Sequence, residues 1–384
     1  MRALVFFAIA ATLISASIAD SQTPATRRPG APQAEFAEPF SEIGAIRELR
    51  DGRVIAVDSR ELTVKLLDFR SGTATTIGRS GDGPGEYRWP SRLYRLPGDS
   101  TLLWDATGGR MMIIGPDGKP GAFFDPNRVE TDSGIARLRR FNIRASDGRR
   151  YLYGEAQPIR IGANGVAELA DSAAIERLDF STRKRDTVAM WPMRKDANAR
   201  LMPGVGVVTQ PRMHPWPAWD HWVVSPNGRV AFVFFDPYRV DFIENGRRVQ
   251  SRPIPYERVR VDDALKKQYR DERSRPMMAQ TSNGMQMMTP PFREPAEWPE
   301  FLPPYNGTSV FAPDGLLWIP RLTAAGRPPL YDIVNGKGVL VERVELPPRT
   351  KLIGFGANTL YLVRFDADDL QYLQRHALPT RERP

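Results

Sequence analysis

The fold is decided by a stretch near the N-terminus that reads Ile43-Gly44-Ala45-Ile46-Arg47-Glu48-Leu49-Arg50-Asp51-Gly52-Arg53-Val54-Ile55-Ala56-Val57. Two short apolar runs flank the dipeptide Asp51-Gly52, which is typical of two-residue hairpin turns because glycine readily supplies a positive φ angle. A third run, Thr63–Phe69, follows, and the turn Ser71-Gly72 leads to a fourth, Ala74–Ile77. The stretch therefore predicts one sheet of four antiparallel strands.

Turn signals of this kind recur between short apolar runs along the whole chain. They are Asp51-Gly52, Gly98-Asp99, Asp147-Gly148, Asn227-Gly228, Asp314-Gly315 and Gly356-Ala357-Asn358. Most intervals between them are close to the roughly 40–50 residues of a four-stranded propeller blade, and the two longer ones, on either side of Asn227, require insertions. The six units predict an all-β fold, a six-bladed β-propeller of four-stranded antiparallel blades with loop and helix insertions on one face.

The last unit is one strand short. Its runs are Leu352–Phe355, Thr359–Val363 and Leu370–His376, after which the sequence soon ends. An exposed sheet edge is unfavourable, and a strand from the other end of the chain would remove it. We therefore expect residues near Phe36–Phe40 to complete the last blade and close the ring.

Two segments carry a family resemblance. One is Ile77-Gly78-Arg79-Ser80-Gly81-Asp82-Gly83-Pro84-Gly85-Glu86-Tyr87, followed by Pro90, and the other is Val54–Ser59 with Val64–Asp68. They resemble the glycine-rich linker and the strand core of NHL-type repeats, as found in exported bacterial six-bladed propeller proteins. Tyr87 stands where that pattern usually has phenylalanine, and later units lack the glycine string. The resemblance implies the fold, and it implies little about activity because propellers host both binding modules and enzymes.

Composition excludes several classes of protein and site. The chain has 384 residues, of which 41% are hydrophobic and 26% charged, which is typical of a globular protein. It has no cysteine, so disulfides, thiolate metal sites and cysteine nucleophiles are excluded. The net charge of +9 comes from basic residues scattered in short groups, without a basic arm or recognition helix, so nucleic acid is not an expected partner.

The N-terminus indicates export. Met1–Arg2 is basic, Ala3–Ile14 is apolar but shorter than a membrane span, and Ser17-Ile18-Ala19 fits a small-x-small cleavage site. We predict a signal peptide at 1–19, a flexible linker at 20–34, one propeller at 35–379 and a tail at 380–384. The mature protein is expected in the periplasm or outside the cell, with no transmembrane segment after cleavage.

Three insertions are expected on one face of the propeller. Loops between the second and third strands of a blade share a face with loops that join blades, and the enlarged segments 156–174, 191–220 and 256–307 all belong to these two kinds. Clustering of long loops favours function, so this face is predicted to carry a lid and a binding site. Within 256–307, Asp262–Arg273 predicts a short helix capped by Asp262, and a methionine cluster follows that either fills space or binds copper.

Aromatic residues of the insertions are the candidate ligand-binding residues: Trp216, Trp219, Trp298 and Tyr305. They either form an apolar wall for a ligand or pack on the propeller rim. Carboxylates also recur where the second strands end, at Asp58, Asp105, Glu155, Asp236 and Asp366. We interpret these as caps of their own turns rather than as an acidic ring for a cation.

Five residues are candidate metal ligands: Glu86, His214, Asp220, His221 and Asn306. His214, Asp220 and His221 form the one local cluster with metal-ligand chemistry, held by prolines. Glu86, Asp220 and Asn306 each fall shortly before an innermost strand, where oxygen ligands could converge.

Two functions follow from these residues. The sequence favours an exported non-catalytic module that binds an unknown small molecule, peptide or protein on the lidded face, because no known catalytic motif is present. The alternative is a metal-assisted hydrolase or lyase at the channel mouth, with Ca²⁺ or Zn²⁺ as its cofactor. A Gly-x-Ser-x-Gly nucleophile elbow is absent from the sequence.

Overall fold

The computed structural model describes residues 24–106, 110–131, 134–137, 141–156, 159–161, 167–192, 199–202, 206–209, 215–274, 277–281, 284–289 and 291–379. The predicted signal peptide and the tail at 380–384 lie outside these ranges. Two short strands, β1 (Thr26–Arg27) and β2 (Ala34–Glu35), precede the first blade. Six antiparallel sheets of at least four strands follow one another around the ring, and the predicted six-bladed propeller is confirmed.

Blades 1 and 2 follow the pattern predicted from the sequence. Blade 1 consists of β3 (Ile43–Glu48), β4 (Val54–Asp58), β5 (Thr63–Asp68) and β6 (Thr73–Thr76). The glycine-rich linker forms a short parallel pair, β7 (Arg79–Ser80) and β8 (Glu86–Tyr87). Blade 2 consists of β9 (Pro90–Arg95), β10 (Thr101–Asp105), β11 (Arg110–Ile114) and β12 (Pro120–Phe124), with a 3₁₀ turn at Pro97–Asp99.

Blade 3 is accompanied by three hairpins. The first hairpin, β13 (Arg128–Thr131) with β14 (Gly134–Arg137), comes from the segment that joins blades 2 and 3 and was not predicted. Blade 3 consists of β15 (Asn142–Ser146), β16 (Tyr151–Glu155), β19 (Ser172–Asp179) and β20 (Arg185–Pro192). The other hairpins are β17 (Ile159–Ile161) with β18 (Ala167–Leu169), and β21 (Ala199–Met202) with β22 (Gly206–Thr209).

The second half of the ring contains the one α-helix of the described residues. Blade 4 consists of β23 (His221–Val224), β24 (Val230–Phe235), β25 (Tyr238–Glu244) and β26 (Arg247–Val249). The next insertion contains α1 (Asp263–Arg273) and a hairpin of β27 (Met277–Thr281) with β28 (Gly284–Met288). Blade 5 consists of β29 (Val310–Phe311), β30 (Leu317–Arg321), β31 (Leu330–Val334) and β32 (Leu340–Glu345), and blade 6 begins with β33 (Thr350–Phe355), β34 (Thr359–Phe365) and β35 (Gln371–Ala377).

The N-terminal segment closes the ring, as predicted. Strand β2 pairs antiparallel with β35 as the fourth strand of blade 6, and the N–H groups of Phe36 and Phe40 donate to Leu373 and Gln371. Phe36 and Phe40 are almost fully buried in the core between blades 6 and 1. Burial of both rings stabilises the pairing of β2 with β35 through the hydrophobic effect.

The part of the predicted flexible linker that the structure describes is held against the propeller. Strand β1 pairs parallel with β32 at the outer edge of blade 5. Arg28 donates to Glu345 at 2.8 Å, and the Gly30 carbonyl oxygen lies 2.9 Å from a ring nitrogen of His376. Backbone pairing and side-chain contacts therefore order residues 24–34, contrary to the expectation of a loose tether.

The apolar core lies between neighbouring blades. Each of the six blade interfaces holds one cluster of buried side chains, and the cluster between blades 5 and 6 contains the fully buried Trp318. Strands such as β4, in which all five residues are buried, are covered on both sides because each blade packs against two neighbours.

The two faces of the ring differ. One face, the tight-turn face, carries the short connections of the six blades, such as those at Gly52, Gly72 and Gly118, where positive φ angles make glycine the suitable residue. The other face, the insertion face, carries α1 and the extra pairs β7–β8, β13–β14, β17–β18, β21–β22 and β27–β28. No helix among the described residues is both long and apolar enough to cross a membrane.

Candidate active site

The inner strands of blades 4 and 5 begin next to each other on the insertion face. His221 is the first residue of β23, and Ser309 directly precedes β29. The Nε2 atom of His221 lies 3.0 Å from the Oγ atom of Ser309, and the Ser309 backbone N–H donates to the same Nε2 at 3.2 Å. The fold thus brings a hydroxyl group and an imidazole into hydrogen-bond contact where the two inner strands begin.

These hydrogen bonds set the tautomer of His221. A backbone N–H can only donate, so Nε2 must present its lone pair to Ser309. The other ring nitrogen, Nδ1, then carries the proton and faces the Trp219 carbonyl oxygen at 3.4 Å. Burial lowers the pKa of His221 to about 4, against smaller opposite effects of the Trp219 carbonyl and the Asp220 charge. At neutral pH the ring is therefore uncharged, and Nε2 is unprotonated.

Tyr305 supports this imidazole from the core. Its ring centroid lies 5.3 Å from that of His221, at an interplanar angle of 78°. Its hydroxyl lies 3.0 Å from the Trp219 carbonyl oxygen and 3.2 Å from that of Val233. Tyr305 is only 1% exposed, so the structure places this candidate ligand-binding residue in the core between blades 4 and 5.

The other candidate aromatic residues divide into a packed pair and an exposed ring. The Trp216 and Trp298 centroids lie 5.7 Å apart, and Tyr269 of α1 lies 5.2 Å and 5.4 Å from them. This aromatic cluster joins the segment before blade 4 to the insertion before blade 5. Trp219, next to the His221 site, is 52% exposed and offers a free ring face to solvent.

The insertion at 256–307 is anchored at several points. Asp262 caps α1 by accepting the Leu265 N–H at 2.9 Å, which confirms the predicted helix start. The N–H groups of Val261 and Leu302 bond back across the base of the insertion. The methionine-rich part forms the hairpin β27–β28, in which Met278 pairs with Met287 in register.

The candidate metal ligands are not brought into one donor set. Glu86 accepts the Gly83 N–H and the Arg79 Nε, each at 2.7 Å, inside the glycine-rich linker, and these contacts hold its pKa below the usual range. Asp220 accepts the Phe235 N–H at 3.0 Å, and Asn306 lies in the segment that leads into β29. His214 lies outside the described residues.

The fit to a metal is therefore poor in the part of the chain that the structure describes. It contains no group of three or more His, Asp or Glu side chains that could hold a metal ion. Both ring nitrogens of His221 are already engaged by Trp219 and Ser309. The predicted Ca²⁺ or Zn²⁺ has no matching donor set here, and we derive no chemical step through a metal.

The carboxylates at the ends of second strands act as caps. Asp58 accepts the N–H groups of Ser41, Glu42, Arg60 and Glu61, at 2.8–3.2 Å. Asp105 accepts those of Arg88 and Trp89, and Asp366 accepts those of Asp368 and Leu370. Asp58 and Asp366 thus cap the turns that follow them, as we interpreted from the sequence. Asp105 instead binds the segment that enters blade 2, and Glu155 accepts the Trp222 Nε1 of blade 4 at 3.2 Å.

Ser309 was not a candidate in the sequence. It lies in Asn306-Gly307-Thr308-Ser309, which matches no nucleophile motif, and its partner His221 is 88 positions away. The one feature of the sequence that could have indicated Ser309 is its position, because Ser309 and His221 both lie where an inner strand starts.

The chain is similar to several solved structures at low sequence identity. No protein-family model matches the chain, and no curated protein matches it in sequence. Among solved structures, the calcium-binding protein regucalcin from Agrobacterium tumefaciens is similar at 12% identity, with 94% of this chain and 98% of that chain covered and a TM-score of 0.43. A Bacteroides fragilis protein described as exported matches at 12% identity, 93% and 99% coverage and a TM-score of 0.45.

A streptogramin B lyase is also similar, at 13% identity, with 90% of this chain and 87% of that chain covered and a TM-score of 0.38. At such identities the likeness assigns no activity to this chain. It does correct one expectation. Solved structures of similar fold include this lyase, so the expectation of a non-catalytic binding module, which rested on the absence of a known catalytic motif, is not supported.

Proposed function

We propose that the protein is an exported hydrolase or lyase that acts on a small molecule at the mouth of the propeller channel, with His221 as its general base. The observation that carries this proposal is the 3.0 Å contact between His221 Nε2 and Ser309 Oγ. Export is supported by the sequence of residues 1–19, with its basic start, apolar run and cleavage site.

The contact supports acyl transfer most directly. Ser309 Oγ would attack the carbonyl carbon of an ester or lactone while its proton moves to His221 Nε2. The C–O bond of the substrate then breaks, and the leaving alkoxide takes that proton. A water molecule hydrolyses the acyl group from Ser309 by the same proton route, so the enzyme returns to its starting state.

The Trp219 carbonyl oxygen would take the place that a carboxylate holds in a Ser-His-Asp triad. It faces the proton on Nδ1 and keeps Nε2 directed at Ser309. Because Ser309 is only 3% exposed, the reacting carbonyl must be small and unhindered to reach it. The exposed Trp219 ring would then contact the apolar part of the substrate.

A lyase reaction would use the same imidazole in another way. His221 would remove a proton from a substrate carbon, the C–H electron pair would form a C=C bond as the neighbouring C–O bond breaks, and the proton would then pass to the leaving oxygen. Ser309 would only hold the ring in place. The two reactions therefore differ in how strongly they depend on the Ser309 hydroxyl.

The test is turnover of a panel of small esters and lactones by the mature protein and three variants. His221→Ala should lower kcat/KM about 10²–10⁴-fold for either reaction, which is the usual contribution of a general base. Ser309→Ala should abolish hydrolysis but leave a lyase reaction within about tenfold. Ser71→Ala, an exposed serine on the tight-turn face, is the matched control. Turnover that persists in His221→Ala, with the variant folded, would refute the assignment.

A further inference from the structure

A second site lies on the tight-turn face, away from His221 and Ser309. A pocket of about 160 Å³ opens there between blade 1 and blade 6. It is lined by Asp51, Gly52, Arg53, Asp68, Phe69, Arg70 and Arg375. Since a water molecule occupies about 30 Å³ in the liquid, the pocket has room for a small ion with a few waters.

Three guanidinium groups surround this pocket, and each has donors to spare. Arg53 uses Nε on Asp51 at 2.7 Å and Nη2 on the Pro116 carbonyl at 3.1 Å. Arg375 uses Nε on the Tyr361 hydroxyl at 3.0 Å and Nη2 on the Gly52 carbonyl. The Nη1 atoms of both, and the whole guanidinium of the exposed Arg70, have no hydrogen bond to the described residues.

The two carboxylates in the pocket are already occupied. Asp51 accepts both the backbone N–H and the Nε of Arg53, and these bonds lower its pKa. Asp68 accepts the N–H groups of Arg70 and Ser71, which likewise lower its pKa. The lining therefore carries three positive and two negative charges, and its unused hydrogen-bonding groups are mostly donors.

One of the three guanidinium groups, that of Arg375, is held in place by stacking on an aromatic ring. The Arg375 guanidinium lies 4.6 Å from the Phe69 ring centroid, and this stacking fixes the plane in which its free Nη1 points. Arg375 belongs to β35 of blade 6, whereas Arg53 and Arg70 belong to turns of blade 1. An anion in the pocket would consequently bridge the two blades that close the ring.

We propose that this pocket binds a small oxyanion, such as inorganic phosphate, between Arg53, Arg70 and Arg375. Guanidinium groups suit oxyanions because their N–H donors match the spacing of the oxygen atoms. Binding to the folded state alone raises stability, so the bound anion would strengthen the closure of the propeller. This site is independent of the proposed reaction at His221.

The experiment measures phosphate binding to the full mature chain by calorimetry and by thermal unfolding, at constant ionic strength. Phosphate should bind and raise Tm, whereas chloride at the same ionic strength should not. Arg70→Gln removes one guanidinium whose side chain has no other bond, so it should weaken phosphate binding about tenfold without changing Tm in the absence of phosphate. Arg149→Gln, an exposed arginine in a turn of blade 3 on the same face, is the matched control and should bind like the wild type.

Further anions identify the chemistry. Sulfate binding like phosphate, with acetate weak, would indicate a tetrahedral dianion, and equal binding of acetate would indicate a carboxylate; both support an oxyanion site. The absence of phosphate binding, or binding that Arg70→Gln leaves unchanged, would overturn the proposal.

Discussion

The imidazole of His221 and the hydroxyl of Ser309 touch across the boundary between blades 4 and 5, with Nε2 and Oγ 3.0 Å apart. Neither residue is in a recognisable motif. The contact exists because the inner strands of blades 4 and 5 begin next to each other on the insertion face. The Ser309 N–H donates to Nε2, which fixes Nε2 as the unprotonated nitrogen. The Ser309 hydroxyl must therefore also act as the donor in its contact with Nε2.

Burial of His221 predicts that stability depends on pH. Its folded pKa is about 4, below the ordinary value of 6.5, so the unfolded chain binds more protons between these values. The stability of the native state is then complete above about pH 6.5 and falls as the pH drops towards 4, by about 3 kcal/mol for this group. Urea unfolding at several pH values between 7 and 4 measures it.

The His221→Gln variant provides the control for this pH effect. Glutamine does not titrate, so the part of the slope due to His221 should disappear while that due to carboxylates remains. An unchanged slope between pH 6.5 and 4 would mean that His221 is not buried as a neutral base.

Asp58 tests the interpretation of the strand-end carboxylates. Its side chain is fully buried and accepts four backbone N–H groups, two of them from the segment that enters blade 1. Asp58→Ala leaves these donors without an acceptor, so we expect a loss of about 3 kcal/mol in the free energy of unfolding. The matched variant Asp366→Ala, whose carboxylate caps only its own turn, should lose about 1 kcal/mol. Equal losses would argue against the structural role assigned to Asp58.

Much of the fold was predictable because local patterns and tertiary structure agree. Asp51-Gly52 and its equivalents set hairpin turns, and the apolar runs between them become strands buried on both sides. The ring closure by Phe36 and Phe40 also followed from the missing strand of the last unit. The hairpin β13–β14 was not predicted, because Arg128–Arg137 is rich in charged residues and carries no alternating apolar pattern.

Less of the candidate site could be predicted, for a physical reason. Its contacts join residues far apart in sequence, and their geometry depends on how blades stack rather than on local pattern. The residue type of His221 indicates a functional role, but no local pattern indicates its partner Ser309. The sequence predicts a ligand-binding role for Tyr305, whereas its hydroxyl bonds two backbone carbonyl groups in the core.

Asp332 is the most highly connected buried charge of blade 5. It is fully buried, accepts Arg321 Nη1 at 2.8 Å and Arg343 Nε at 3.0 Å, and lies 3.0 Å from the Tyr238 hydroxyl of blade 4. Removing one member of a buried ionic group leaves the other charges uncompensated, so Asp332→Ala should cost about 3–5 kcal/mol. Asp369→Ala breaks an exposed pair with Arg349 and should cost less than about 1 kcal/mol. Chemical unfolding of both variants tests the difference, and a loss below that of Asp369→Ala would contradict it.

Phe40 tests whether the N-terminal segment carries the closure of the ring. The ring is 1% exposed in the core between blades 6 and 1, and its backbone bonds Gln371. Phe40→Ala leaves a cavity at the point where the two ends of the chain meet, so the free energy of unfolding should fall by about 3–5 kcal/mol. Phe123→Ala removes a ring that is 40% exposed on the outer strand of blade 2, so its cost should stay below about 1.5 kcal/mol. If both variants lost the same small amount, the closure would depend on the backbone pairing of β2 with β35 rather than on this buried ring.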